Sequence, residues 1–163
     1  MRYIAYTDGS YLNDPKYGPH YGWAAIVYPE NNFDNIDQLT GSGNDASYIQ
    51  HHNVAGEIMA VMALCRHCMD VLHLGRDDVL EINHDYEGVA NWCKRADEAG
   101  FWKAKKPLTM AYRQFMNSGP KTMFKVEFRH TKGHSGNVGN DIVDRLAKQA
   151  IYDKFNKMSE LKS

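Results

Sequence analysis

Two short strand-like segments in this chain each end on an aspartate, and a long helical pattern separates them. Residues 2–10 read Arg-Tyr-Ile-Ala-Tyr-Thr-Asp-Gly-Ser: Tyr3, Ile4, Ala5 and Tyr6 are strand formers, Asp8 follows, and Gly9 and Ser10 break the pattern. Residues 79–83 read as another short strand, which leads to Asp85. Between them Val54, Ile58, Met62, Cys65, Met69 and Leu72 recur at helical spacing, with Glu57 expected in the first turn and Gly75 as a stop. Strand, helix and strand make a crossover unit, so the second run should lie parallel to an earlier strand. If that neighbour is the first strand, Asp8 and Asp85 emerge side by side, beyond the carboxyl ends of parallel strands where open α/β sheets place their sites. A carboxylate there is costly to desolvate without a partner, and no basic residue adjoins Asp8. A metal ion is the natural counter-charge.

The remaining segments fill in the sheet and its cover. Residues 12–19 are rich in turn formers, and 21–28 resume strand character around Trp23, Ile26 and Val27, which predicts a hairpin. After a turn over 29–37, a weaker third strand is expected near 38–42. Residues 86–99 read as a helix, 108–117 as a shorter one, and 121–129 as a fifth strand. Residues 131–140 form a glycine-rich loop around His134. The last helix carries Ile142, Val143, Leu146, Ala147, Ala150, Ile151 and Phe155 on one face, with Asp141 and Asp144 at its start. The expectation is one α/β domain over 1–163, its core spanning about 2–155 and residues 156–163 forming a C-terminal tail.

A length of 163 residues with 43% hydrophobic and 24% charged residues is enough for one sizeable core. No apolar run approaches the roughly 18 to 20 residues of a membrane span, and the N-terminus enters strand pattern directly, so a cytoplasmic location without membrane contact is expected. Cys65, Cys68 and Cys93 are too few and too unevenly placed for a disulfide framework. Cys65 and Cys68 fall on the apolar side of a helix, where packing explains them better than zinc or redox chemistry. His51 and His52 read as a solvated pair. Residues 1–84 carry 4 Lys+Arg against 11 Asp+Glu, a balance of −7, whereas 85–163 carry 15 against 9, a balance of +6. The second half is the one suited to a polyanion.

Asp8, Glu57, Asp85 and Asp144 must be weighed together. Singly, an acid opening a helix serves the macrodipole, and one after a strand begins a turn. Jointly, they form a set of hard oxygen donors suited to Mg²⁺, which keeps several waters and shares its shell with substrate phosphates. Two such ions roughly 3.5 to 4 Å apart activate a water and stabilise a leaving oxygen.

The ordered segments Thr7-Asp8-Gly9-Ser10, Asn53-Val54-Ala55-Gly56-Glu57-Ile58-Met59-Ala60, Asn83-His84-Asp85-Tyr86-Glu87-Gly88-Val89, and Lys132-Gly133-His134-Ser135-Gly136 with Asn140-Asp141-Ile142-Val143-Asp144-Arg145-Leu146-Ala147 resemble the four signatures of the type 1 ribonuclease H family. The resemblance implies a ribonuclease H-like fold, a mixed five-stranded sheet in order 3-2-1-4-5 with strand 2 antiparallel, flanked by helices. It implies hydrolysis of the RNA strand of RNA–DNA hybrids by a monomer with two Mg²⁺ ions, Mn²⁺ being a possible substitute, to give 5′-phosphate and 3′-hydroxyl ends. It makes Asp8, Glu57, Asp85 and Asp144 metal ligands and His134 an aid to proton transfer or product release, a role suited to a group titrating near neutrality. Asn53 and Asn140 match positions that hydrogen-bond nucleic acid, although Asn53 also reads as a helix N-cap and Asn140 as a turn or cap. Ser10 and Tyr11 fall near the substrate.

The chain departs from the family in places. The basic protrusion of some members is shortened here to residues 94–106, where Asp97 and Glu98 dilute the charge. Trp92, Lys103, Lys105 and Lys106, with Phe101 and Trp102, are candidates for a DNA-strand channel, the tryptophans being equally suited to a core. Val54 stands where the family often has a second Asn. Two other readings are a DNA nuclease of the same fold, resolvase-like, and a non-catalytic hybrid-binding module. The Lys-Gly-His loop and Asn53 argue against the first, and four clustered acids near phosphates argue against the second.

Overall fold

The computed structural model describes residues 1–132 and 137–162. The chain opens with three antiparallel strands, β1 (Arg2–Asp14), β2 (Gly18–Pro29) and β3 (Asp37–Gly43). Asp14 closes the first hairpin, its Oδ2 accepting the backbone N–H groups of Lys16 and Tyr17 at 2.8 and 2.9 Å. Helix α1 (Asn53–Asp70) then crosses to β4 (Val79–His84), which runs parallel to β1 with Tyr3 opposite Leu80 and Tyr6 opposite Asn83. Strand β5 (Lys125–His130) is parallel to β4, and the sheet order is β3-β2-β1-β4-β5. The crossover places β4 beside β1, the neighbour that brings Asp8 and Asp85 out side by side.

Alternation along β2 divides the core. Ala25 and Val27 face one side, packing with Ala5, Leu80, Ile82 and the α1 residues Ile58, Val61, Leu64, Cys65 and Cys68. Leu108, Tyr112 and Met116 of α3 (Pro107–Ser118) close that layer. Ala24 and Ile26 face the other side, against Val143 and Ala147 of α5 (Val138–Lys162). The three cysteines are free and buried, in line with packing roles. No helix among the described residues is long and apolar enough to cross a membrane.

Four local expectations need correction. Residues 86–99 form only a single helical turn, α2 (Gly88–Asn91). The carbonyls a longer helix would use are taken from elsewhere: Arg113 donates to those of Trp92 and Lys94, Lys121 to that of Cys93, and the Trp102 N–H to that of Asn91. The fifth strand starts at Lys125 because Pro120, fixed in a helical φ, opens a short helix α4 (Pro120–Met123) ahead of it. Glu57 is the fifth residue of α1 and so lies on its second turn. Finally, α5 continues through most of the expected tail. Phe155 is buried against Tyr17, with ring centroids 4.8 Å apart, and Tyr17 Oη is hydrogen-bonded to Ser159 Oγ, which anchors the last turns.

Candidate active site

Strand β1 carries Asp8 past its last parallel pairing with β4, while the antiparallel ladder to β2 still holds it opposite Ala24. Asp85 comes one residue after β4 ends. Glu57 reaches them because helix α1 lies directly on the β1 backbone. A Cβ added at Gly9 would sit 2.2 Å from Glu57 N and 2.6 Å from Asn53 O, and one at Gly56 2.2 Å from Gly22 O and 2.9 Å from Gly9 Cα. Only glycine fits at either position, and their contact sets the distance between Asp8 and Glu57.

Ligand oxygens of Asp8, Glu57 and Asp85 all lie within 4.8 Å of one another. Asp8 and Glu57 are 6% and 2% exposed, so their charges are largely cut off from water. The Gly9 N–H donates to Asp8 Oδ1 at 2.9 Å. Glu57 Oε2 is buried and receives no donor from the described residues, and the charged neighbours of the Glu57 carboxyl are Asp8 and Asp85. Burial pushes the Asp8 carboxyl up to about 7; the hydrogen bond from Glu57 opposes this, while Asp85 and Asp144 add to it. Glu57 is raised well above the ordinary range, first by burial and then by Asp8 and Asp85. Asp8 and Glu57 therefore favour their protonated forms unless a cation offsets the charge of the cluster. Three carboxyls close together, with one Glu57 oxygen buried and without a donor among the described residues, are chemically suited to a divalent cation.

Asp144 lies on the second turn of α5 and lines the same cavity of about 240 Å³, outside the three-acid group. Its Oδ2 accepts from Lys148 Nζ at 3.1 Å, an i,i+4 ion pair. Asn53 lines the cavity and is exposed; the capping position belongs to His52, at φ 57°, with no side-chain cap bond, so the capping role is not Asn53's. Asn140 also lines the cavity and donates through Nδ2 to Thr131 Oγ1 at 2.9 Å. The first-turn N–H groups of α5 at Gly139 and Asn140 are capped by Asn137 Oδ1.

Ser10 and Tyr11 border a neighbouring groove with Lys148 and Tyr152, and Tyr11 stacks on His52 at 4.4 Å. His52 is therefore engaged rather than merely solvated. Trp92 packs on Trp102 at 5.3 Å and on Tyr86 at 5.9 Å, and Tyr86 is part of the cavity wall. Lys103, Lys105 and Lys106 are exposed on the connector, and among the described residues none of them lines the acidic cavity. His134 lies outside the described residues. The sequence reading missed Tyr86 and Lys148; the i,i+4 spacing from Asp144 was the available signal for Lys148.

The chain has relatives in sequence and in fold. The family model for RNase H matches residues 1–152. Ribonuclease H of Francisella tularensis subsp. novicida (strain U112) is 31% identical over 159 residues, covering 96% of this chain and 95% of that protein. Ribonuclease H of Francisella philomiragia is 31% identical over 157 residues, covering 94% and 93%. The N-terminal RNase H domain of a Mycobacterium tuberculosis protein, solved as a fusion with maltose binding protein, superposes with a TM-score of 0.71 at 16% identity, over 97% of this chain and 99% of that one. LC11-RNase H1, solved in complex with RNA/DNA hybrid, gives 0.70 at 18% identity, over 94% and 99%, a likeness of fold. With a family model spanning nearly all its length and relatives matching it end to end, the chain belongs to the ribonuclease H family.

Proposed function

We propose that this chain hydrolyses the RNA strand of RNA–DNA hybrids, using two divalent cations, Mg²⁺ by preference and Mn²⁺ as a substitute, to leave 5′-phosphate and 3′-hydroxyl ends. The observation that carries this reading is the trio Asp8, Glu57 and Asp85, with oxygens within 4.8 Å and Glu57 Oε2 lacking a donor among the described residues. These three would hold the cations, with Asp144 completing the set from the cavity wall. When bound, such ions lower the pKa of an attacking water and offset charge on the leaving oxygen.

The other residues orient the substrate. The exposed amide of Asn53 offers a donor and an acceptor, the pair needed to match a 2′-hydroxyl. Asn140 has one N–H engaged with Thr131 Oγ1, which fixes the amide plane and leaves its carbonyl oxygen for the sugar-phosphate backbone. Ser10 and Tyr11 border the substrate on the β1 side, and the exposed Lys103, Lys105 and Lys106 follow the DNA strand with Trp92 behind them. His134 is assigned proton transfer or product release. The chain acts as one domain and as a monomer in the cytoplasm.

The test is a labelled RNA–DNA hybrid, duplex DNA and duplex RNA, each incubated with the protein or Asp85→Asn, with Mg²⁺, Mn²⁺ or chelator. Cation-dependent cleavage confined to the hybrid RNA and lost in the variant is expected. Cleavage of duplex DNA, or tight hybrid binding without cleavage under either ion, would overturn the reading.

A further inference from the structure

The three clustered acids are not held equally. Asp8 sits in a strand laddered to β2, and Glu57 in the second turn of an 18-residue helix. Asp85 lies in a bend after β4, whose last pairing with β5 is His84 opposite His130. No ladder fixes its backbone, yet a carboxylate displaced by a fraction of an ångström no longer fits an octahedral ion.

Side chains from the ends of β4 and β5 replace the missing ladder. His130 Nε2 is 3.0 Å from the Asp85 carbonyl oxygen, and His84 Nδ1 is 3.0 Å from that of Tyr86. A carbonyl only accepts, so each of these ring nitrogens carries its proton. The Thr131 N–H and hydroxyl both donate to the His84 carbonyl, at 2.7 and 3.2 Å. Three consecutive carbonyls, at residues 84, 85 and 86, are thus each held. The His84 and His130 rings lie 5.6 Å apart, tilted by 33°, and His84, 1% exposed, packs edge-on to Phe128 at 5.7 Å. Thr131 also receives Asn140 Nδ2, which ties the same strand end to α5.

We propose that His130 is a positioning residue for Asp85: its Nε2–H fixes the Asp85 peptide and so the carboxylate's reach into the cation site. The inference rests on the reading of Asp85 as a metal ligand. His130 is exposed, so substitution there is compatible with folding. His130→Phe keeps an aromatic ring against His84 and removes the donor, whereas His130→Gln returns an amide N–H.

Calorimetric titration of the metal-free proteins with Mg²⁺ and Mn²⁺ reads the effect directly, alongside kcat and KM for hybrid cleavage as a function of ion concentration. His130→Phe is expected to weaken ion binding roughly tenfold, the scale of lost support behind a ligand. The ion dependence of kcat should shift by the same factor, KM for hybrid at saturating ion should stay unchanged, and His130→Gln should recover most of the loss. Ion binding by His130→Phe equal to that of the unmodified protein would overturn the assignment, as would a deficit in His130→Gln as large as in the phenylalanine variant. An unmodified protein that binds no ion, or an Asp85→Asn variant that binds it normally, would instead overturn the metal-ligand reading on which the assignment depends.

Discussion

At the scale of single residues, the site is organised by repulsion waiting for a counter-charge. Glu57 and Asp8 are buried next to one another, and burial and their neighbours favour their protonated forms. Glu57→Gln, in chelator at pH 8, is therefore expected to raise the melting temperature by a few degrees, each kcal/mol being worth roughly 2–4 °C at this chain length. The same variant should lose cleavage, and a lower melting temperature would contradict the account. The sign of the pH dependence follows from linkage. Asp8 ionises near its ordinary 3.8 when unfolded and at about 7 when folded, so its contribution is fully present at low pH and is lost as pH rises to about 7. The metal-free protein should lose stability across that window, and Mg²⁺ should raise the melting temperature more at pH 8 than at pH 5. An equal rise at both would show that cations do not act at these carboxyls. The four acids were legible as residues because each sits at an element end or on an opening helical turn. That Asp144 would stand outside the inner trio depends on how α5 is rotated about its axis, which periodicity alone does not fix, whereas its pair with Lys148 follows from i,i+4 spacing.

At the scale of elements, strand and helix signals were readable wherever the apolar period was long. The α1 pattern and the strand runs ending near Asp8 and Asp85 gave the crossover and its parallel strand, and the family resemblance supplied the sheet order. Residues 86–99 were misread because Arg113 and Lys121, from later elements, and Trp102, just past the segment, take the carbonyls that would have propagated a helix. The contact between β1 and α1 was equally hidden: Gly9 and Gly56 are ordinary turn or helix glycines in sequence, and only the packed elements reveal why a Cβ is excluded. Gly9→Ala should push the start of α1 off the strand, at a cost on the order of 1–3 kcal/mol in denaturant unfolding. It should also weaken ion binding, because it moves Glu57 away from Asp8. Wild-type stability and ion affinity in Gly9→Ala would show that the close approach is not what sets the carboxylate spacing. Phe155→Ala tests the far end of α5. It should cost about 3 kcal/mol or more by emptying a buried aromatic site against Tyr17 and His20, while leaving hybrid cleavage by the folded fraction intact.

At the scale of the whole molecule, sequence and fold agree on where chemistry is placed. The balance of −7 over residues 1–84 includes Asp8 and Glu57, and the +6 over 85–163 includes the lysines of the connector. Two of the eleven acids of the first half meet Asp85 and Asp144 of the second half at the cavity, so the site draws its negative charge from both halves, and the net positive charge of the second half is suited to a polyanion. The fold and the inner acids could be read from the chain because motif order and strand–helix order constrain each other. The support behind them could not, since His84 and His130 are 46 positions apart and meet only through the register of β4 with β5. The central claim is that the acid cluster works as a cation-holding catalytic centre for RNA hydrolysis. Its most direct test is the rate of RNA cleavage in a labelled hybrid by the protein and by Asp8→Asn at saturating Mg²⁺. Loss of cleavage by several orders of magnitude, with the fold intact by circular dichroism, is expected; an Asp8→Asn variant that cleaves at the unmodified rate would show that the acid cluster is not the catalytic centre.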